Sequence, residues 1–276
     1  MALSVKITRT IPIHPNSVFL QWDVLNPSEN GTYLFDVFRG GSPSGPWTLL
    51  AGGKPNAYNH LDVIPSGAEA KENDQNDLSL VRGIFYRVVV TPPSGSAGQA
   101  ETVSIVEPSL DGRARLLKRK FLRDLAVGLK RLNGLQVAVC KRMHWGPRCP
   151  KCYDKYTKEI VRGSCLLCFG TGFTPGYHAP VGTLARRTPT AVETSMTPEG
   201  KTDLNVISLW MLDVPRAEEN DIIVFLGDDR RFQVKKVMPT ELKTVSVHQK
   251  LLISEIAKSS IEYRLVVDPT RIPPLF

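Results

Sequence analysis

The sequence predicts a mainly β protein with an N-terminal β-sandwich, a central helix that leads into a four-cysteine ribbon, and a small C-terminal β-barrel. Three features support this fold class. Short apolar strands alternate with turn residues at both ends of the chain, a helical apolar stripe lies between them, and two C-x-x-C pairs follow that stripe. The expected domains cover residues 1–106, 107–180 and 181–276.

The N-terminal region is rich in short strands. Segments rich in Gly, Pro and Ser separate four candidate strands, at residues 17–22, 33–39, 47–51 and 85–90. In the second of these, Tyr33, Phe35 and Val37 fall on alternate positions, which predicts one buried face. Several short strands at regular intervals are typical of a β-sandwich. We expect three aromatic residues in its core, Trp22, Trp47 and Tyr86.

A basic amphipathic helix is expected next. Ser109 or Asp111 can cap its start, and Asn133 followed by Gly134 can end it near Leu132. Apolar residues recur at helical spacing on one stripe, namely Leu117, Phe121, Leu125, Leu129 and Leu132. The candidate interaction residues around this stripe are all basic: Arg115, Lys118, Arg119, Lys120, Arg123, Lys130 and Arg131. They form either the solvated face of a docked helix or a contact with DNA or an acidic protein ring.

The positive charge of the chain is concentrated around this helix. The formal net charge is +8, and residues 107–180 carry 15 Lys and Arg against 5 Asp and Glu. Residues 1–106 carry 7 against 9, and residues 181–276 carry 13 of each kind. A local basic patch of this size predicts an acidic protein surface or a phosphate backbone as its partner.

The paired cysteines predict a structural zinc site. Cys149 and Cys152 form one C-x-x-C pair, and Cys165 and Cys168 form the second. Each pair can turn both sulfurs toward one metal, and the segment between the pairs can fold back as a hairpin over residues 153–161. Four thiolates leave no open position for a catalytic water. Two disulfides or buried free thiols are the alternatives to zinc.

Two other residues near the motif are assigned from their positions. His144 is an alternative metal ligand, although four cysteines already complete a tetrahedral set. Cys140 lies in an apolar run and is expected to be a buried thiol. With four of the five cysteines in the paired motif, the cysteine usage fits a reducing compartment.

The C-terminal region predicts a small barrel. Its candidate strands cover residues 206–212, 222–226, 230–237 and 245–256. Gly227, Asp228 and Asp229 join the second and third of these as a hairpin. A unit of fewer than a hundred residues buries a limited core. Its strand edges are therefore expected to need covering, by a neighbouring subunit or by its own loops.

Several classes of protein are not favoured. No apolar run reaches the length of a membrane span, and the first residues alternate like a strand rather than like a signal peptide. We find no nucleophile–base constellation, no phosphate-binding glycine loop and no H-E-x-x-H motif. The sequence therefore predicts a non-enzymatic protein with no small-molecule substrate.

The first region resembles a fibronectin type III domain. The resemblance rests on the early Trp22 and on the segments YLFDVFRG, SPSGPWTLLA and FYRVVVTPP, which include Tyr86. It covers roughly a hundred residues. It implies a fold and no function, because such sandwiches serve many roles.

The later regions resemble the head-closure, or stopper, proteins in the necks of tailed bacteriophages. The segments ENDIIVFLGDDRRFQVKKVMPTE and VHQKLLISEIAKSSIEYRL carry the barrel resemblance, and RMHWGPRCPKC with SCLLCFGTGFTPGYHAPV resembles the paired-cysteine segment of some neck proteins. The resemblance implies a ring of six or twelve copies in the virion neck, assembled in the host cytoplasm. Its implied partners are portal or adaptor proteins, tail proteins and the genomic DNA in the channel, with no membrane.

Two other functions stay open at this point. The first is a zinc-ribbon nucleic-acid-binding protein that places the basic helix on phosphates. The helix has no Asn or Gln before Asn133, so its charges suit backbone phosphate or an acidic protein better than base readout. The second is a chaperone-like module, because residues 165–172 match the C-x-x-C-x-G-x-G element of bacterial heat-shock chaperones, although the first pair lacks the glycines.

Overall fold

The structure is a computed structural model that describes residues 3–13, 17–27, 30–63, 84–95, 100–104, 112–161, 163–188, 194–197, 200–203, 206–242 and 245–272. As predicted, the chain is mainly β, with a closed six-stranded barrel and a cluster of four cysteines. It divides into two compact units. The first comprises Met1–Arg115 with His144–Arg148, and the second comprises Leu116–Met143 with Cys149–Phe276.

Two antiparallel sheets form the first unit. Its described strands are β1 (Ser4–Ile13), β2 (Ser17–Leu25), β3 (Leu34–Gly40), β4 (Trp47–Pro55), β5 (Asn59–Val63), β6 (Phe85–Thr91) and β7 (Ala100–Ser104). One sheet has the strand order β1-β2-β5 and the other has the order β4-β3-β6-β7. The four strands that the sequence predicts in this region are all present.

Alternating apolar residues hold these sheets together. Tyr33, Phe35 and Val37 are fully buried, which confirms the face predicted from their spacing. Trp22 on β2 meets Phe35 on β3 with ring centroids 5.7 Å apart, so the contact joins the two sheets. Trp22 and Tyr86 are core residues, as predicted. Trp47 on β4 is only half-buried, so the prediction that it belongs to the core is wrong.

A distant segment of the chain completes the core of the first unit. Trp145 is 4% exposed, and its ring lies 6.0 Å from the Tyr33 ring and 5.4 Å from the Phe35 ring. The Arg148 amide donates a hydrogen bond to Asn30 Oδ1 in the same unit. The sequence places His144–Arg148 only as a lead into the cysteine motif. Long-range aromatic packing of this kind has no local pattern that would predict it.

The predicted helix is present as α1 (Gly112–Gly128), which continues into a π-helical turn over Leu129–Asn133. Its apolar spacing puts Leu129 into the interior at 4% exposure. The candidate caps Ser109 and Asp111 lie outside the described residues. No helix in the part of the chain that the structure describes combines the length and the hydropathy that a membrane crossing requires.

A closed antiparallel barrel forms most of the second unit. Its strands follow one another around the barrel in the order β12-β15-β14-β13-β8-β9. They are β8 (Leu135–Cys140), β9 (Val181–Thr188), β12 (Val206–Leu212), β13 (Ile222–Phe225), β14 (Arg231–Leu242) and β15 (Val245–Glu255). A separate hairpin joins β10 (Thr194–Thr197) to β11 (Gly200–Asp203).

One barrel strand, β8, precedes the cysteine motif in the chain. The sequence predicts the barrel within residues 181–276, whereas β8 lies between β13 and β9 in the closed sheet. Strand pairing satisfies backbone hydrogen bonds wherever a partner edge is available, however distant in the chain. Closure also covers the edges for which the sequence predicts a neighbour or a loop, because β9 pairs with β12.

One buried carboxylate ties the barrel to the loop before β13. Asp221 is fully buried, and its two carboxylate oxygens accept hydrogen bonds from the amides of Arg142 at 2.8 Å and Glu218 at 2.7 Å. Burial disfavours the charged form and raises the pKa of Asp221 to about 7, although Lys141 and these amides oppose the shift. The group therefore titrates near neutral pH.

This raised pKa predicts a pH-dependent stability. An acid whose folded pKa exceeds its unfolded value binds a proton that the unfolded chain releases, so its contribution is present at low pH and is lost as pH rises toward the folded pKa. Between about pH 6 and about pH 8 the free energy of unfolding should fall by on the order of 1 kcal/mol. Urea denaturation at several pH values measures this slope.

Asp221→Asn serves as the comparison, because the amide does not titrate. The variant should be less stable overall. The side-chain nitrogen of the asparagine would face one of the two backbone N–H donors, and it cannot accept a hydrogen bond. Its unfolding free energy should nevertheless show a smaller decrease over the same pH range. Equal slopes for the two proteins would contradict the assignment of this titration to Asp221.

Candidate metal centre

Each pair of cysteines lies in a tight turn. The Tyr153 amide donates to the Cys149 carbonyl at 3.2 Å, and the Phe169 amide donates to the Cys165 carbonyl at 2.8 Å. Both bonds close a turn across the intervening C-x-x-C residues. The sulfurs of each pair can therefore reach the same point in space, as the spacing predicts.

The segment between the pairs folds back as the sequence predicts. Tyr153 and Ile160 form an isolated β-bridge, the Asp154 amide donates to the Glu159 carbonyl, and the Val161 amide donates to the Cys152 carbonyl. The hairpin is too short to form regular strands. Its closing bond to Cys152 places the second half of the segment next to the first cysteine pair.

Two glycines allow close backbone approaches around the second pair. Gly170 has φ +74°, and a Cβ atom there would lie 2.8 Å from the Gly163 carbonyl oxygen. Gly176 has φ +95°, and a Cβ atom there would lie 2.6 Å from the Cys168 carbonyl oxygen. Because both obstacles are backbone atoms, a side chain at either position would force the loop apart.

The four sulfurs form one buried cluster. Cys149, Cys152, Cys165 and Cys168 are all free cysteines, none more than 9% exposed, and their sulfurs all lie within 4.8 Å of one another. The Cys149 and Cys165 sulfurs are 3.7 Å apart, and those of Cys152 and Cys168 are 3.0 Å apart. A tetrahedral thiolate site with metal–sulfur bonds of about 2.3 Å has sulfurs roughly 3.8 Å apart. The cluster therefore fits a metal ion.

The electrostatics of the cluster favour a cation. Burial opposes ionisation of Cys149, but hydrogen bonds from the Lys151 and Cys152 amides and from neighbouring thiols outweigh it and lower the pKa of Cys149 to about 7. Burial, followed by hydrogen bonding with Cys168, raises the pKa of Cys152, and burial also raises the pKa of Cys168. One thiol thus ionises readily while two neighbours resist. A divalent cation would offset the cost of burying charged sulfurs and allow all four cysteines to bind as thiolates.

The metal centre is an insertion between two paired barrel strands. β8 ends at Cys140 and β9 begins at Val181, and the two strands pair directly. The pairing extends into the insertion through the bridge of Arg142 with Tyr177 and the bond from the Met143 amide to the Gly176 carbonyl. Tyr177 packs in an apolar cluster with Cys140 and with Phe169, which follows the last cysteine of the motif. The barrel therefore positions the base of the cysteine segment.

The other residues that the sequence singles out are not members of the described metal-binding group. His144 is exposed and belongs to the first unit, and among the described residues the metal-binding group consists of the four cysteines. Cys140 is a buried thiol, as predicted, and burial raises its pKa to about 12. Trp145 and Asp221 are structural residues that the sequence alone does not identify, because neither belongs to a recognisable motif.

The basic candidate residues lie on α1 and the π-helical turn. Lys120, Arg123, Lys130 and Arg131 are exposed, as expected for either a solvated face or a binding surface. Arg115, Lys118 and Arg119 belong to the helix, but their side chains lie outside the described part of the structure. No family model matches the chain, and no curated protein sequence is detectably similar to it.

Proposed function

We propose that this chain is a non-enzymatic structural protein of the virion neck in a tailed bacteriophage. It would form a ring between portal and tail that closes the head and docks the tail. The closed barrel carries the proposal, because the segments that resemble stopper proteins supply three consecutive barrel strands, β13, β14 and β15. Together with the inserted cysteine segment, this arrangement supports a stopper-like barrel.

The metal in the cysteine cluster is proposed to be zinc. Four sulfur ligands in a tetrahedral arrangement suit Zn²⁺, which binds thiolates at about 2.3 Å without an electronic preference for another geometry. When bound, the ion would hold the two turns and the hairpin together. The cysteines would supply all four ligands, so the role is structural.

The first unit is proposed to be a fibronectin type III-like domain. Its division into a three-stranded and a four-stranded antiparallel sheet supports this assignment, as does the buried Trp22 at the sheet interface. The assignment concerns the fold. It adds no function of its own.

Ring formation through the closed barrel would use its side-chain surfaces rather than strand edges. Because the six strands close on themselves, the barrel offers no free edge for strand addition by a neighbouring copy. A closed head-to-tail ring of six or twelve copies would then form through heterologous side-chain contacts. A cryo-EM map of the particle that places the chain at the tail tip or capsid surface would overturn the neck assignment.

The basic helix is expected to attach the ring to its partners. Reversing charge in Arg119→Glu, Lys120→Glu and Arg123→Glu should leave the isolated protein folded, because the described members of this set are exposed. Incorporation of the triple variant into particles should nevertheless fall, and attachment of the wild-type protein should weaken with salt. Quantitative immunoblotting of purified particles measures incorporation.

A matched triple variant of the cysteine segment controls for charge alone. Lys151→Glu, Lys155→Glu and Lys158→Glu change the same number of exposed lysine or arginine residues outside α1 and outside the barrel strands. This control should incorporate normally. Equal incorporation of the helix variant and the control would refute the role given to the helix.

A zinc-ribbon nucleic-acid-binding protein is the second candidate function. The exposed basic side chains of α1 and the π-helical turn favour it, because phosphate contacts need accessible Lys and Arg. Tight DNA binding by the isolated protein, with a steep salt dependence and no ring formation in native mass spectrometry, would favour this function over the neck role.

A further inference from the structure

Part of the apolar face of the helix is exposed. Leu117 and Phe121 are 45% and 44% exposed, and Leu132 in the π-helical turn is 79% exposed. Leu122 and Leu125 are half-buried and Leu129 is buried, so the other part of the apolar face already packs against the protein. Leu117 and Phe121 are four residues apart and lie side by side on the helix. They form an exposed stripe with Leu132, hereafter the α1 stripe.

Basic side chains flank the α1 stripe. Lys120, Arg123, Lys130 and Arg131 are exposed, and residues 112–133 contain eight basic residues against the single acidic Asp124. Two copies of this helix would therefore repel each other, which argues against a symmetric α1–α1 contact between two copies of the chain. The charge instead complements an acidic surface.

The apolar residues discriminate between the acidic partners. A phosphate backbone would contact the lysines and arginines and would leave Leu117, Phe121 and Leu132 in water. A membrane surface needs a broad apolar face that enters the lipid, whereas Leu122, Leu125 and Leu129 are already partly or fully covered. A narrow apolar stripe with charged flanks is typical of a helix that lies in a groove of another protein.

We propose that the α1 stripe docks into an apolar groove that is lined by acidic side chains on a partner protein. Phe121 and Leu117 would fill the groove, and the flanking lysines and arginines would pair with carboxylates at its rim. The inference rests on the proposed function, because another protein of the neck would be the partner. It names the chemistry of that partner as protein rather than DNA.

The test uses the full-length protein and four defined probes, read by fluorescence anisotropy or vesicle co-sedimentation. The first is a helical peptide with a leucine face flanked by glutamates, and the second is the same peptide with serines replacing the leucines. The others are a short DNA duplex and vesicles of phosphatidylglycerol and phosphatidylcholine. We expect the leucine-faced peptide to bind at least about ten-fold more tightly than its serine-faced form.

Two variants separate the apolar and the charged contributions. Phe121→Ser should weaken binding of the leucine-faced peptide by about ten-fold, as should the double variant Lys120→Glu with Arg123→Glu. Leu49→Ser, at another exposed apolar position, and the double variant Lys235→Glu with Lys236→Glu should leave binding unchanged. Circular dichroism checks that each variant is folded, and the charge variant stands as the test if Phe121→Ser does not fold.

Three results would overturn the inference. Binding of DNA or of the serine-faced peptide as tight as that of the leucine-faced peptide would make α1 a general polyanion surface. Vesicle binding that depends on Phe121 would make it a membrane-surface helix. Failure of the leucine-faced peptide to bind would also overturn it. A particle map without the chain in the neck would overturn the proposed function but not the peptide result, so the two failures are distinguishable.

Discussion

Replacing one cysteine of the metal centre is expected to have the largest effect. Cys152→Ser should reduce the zinc content of the purified, reduced protein from one ion per chain to none. Apparent binding energies of structural zinc in small peptides are about 10–16 kcal/mol, and most of that energy also stabilises the fold around the metal. The cysteine segment should therefore lose its structure and become sensitive to protease between residues 149 and 176.

The barrel should survive this loss. β8 and β9 pair directly at the base of the insertion, so their hydrogen bonds do not depend on the metal. Elemental analysis and limited proteolysis with mapping of the cleavage sites measure both outcomes. Cys140→Ala removes a cysteine outside the cluster and should keep the zinc content unchanged. Absence of zinc from the reduced wild-type protein would refute the metal assignment.

Removing the indole of Trp145 is expected to destabilise the first unit by about 3–5 kcal/mol, the usual range for truncation of a buried aromatic residue to alanine. The ring is 4% exposed and contacts Tyr33 and Phe35, which are themselves fully buried. Truncation would leave a cavity beside β3. Hydrogen exchange of peptides from β3 and β6, followed by mass spectrometry, reports the stability of this unit alone.

Two variants calibrate that experiment. Trp145→Phe keeps an aromatic ring at the site and should destabilise the unit less than alanine does. Tyr156→Ala changes an aromatic residue that is 96% exposed and should have little effect on the same peptides. If Trp145→Ala and Tyr156→Ala gave the same exchange rates in β3, the packing of Trp145 in this core would be refuted.

Local patterns in the sequence predict most of the individual elements. Alternation of apolar residues identifies β3, because period-two spacing places every second side chain on one face. The turn at Gly227 identifies the hairpin of β13 and β14. The two C-x-x-C pairs identify the metal centre, since the ligand spacing and the turn geometry are both local properties.

Long-range contacts decide the features that these patterns miss. β8 has the strand pattern, but only barrel closure shows that it pairs with β13 and β9 rather than belonging to the cysteine segment. The same pairing closes the sheet, so the described barrel strands do not need a neighbouring copy to complete it. The sequence predicts Asp221 only as a turn residue. Its raised pKa arises from burial, which depends on segments elsewhere in the chain.

The sequence by itself determines the kinds of element, the four cysteines of the candidate metal centre and the charge of the helix, because each depends on residues that are close together in the chain. The tertiary structure decides which strands close the barrel, where Trp145 packs and which part of the apolar face of α1 stays exposed. These outcomes depend on contacts between segments that are distant in the chain. Which of these contacts form depends on how much apolar surface the whole fold buries, and no single segment determines that.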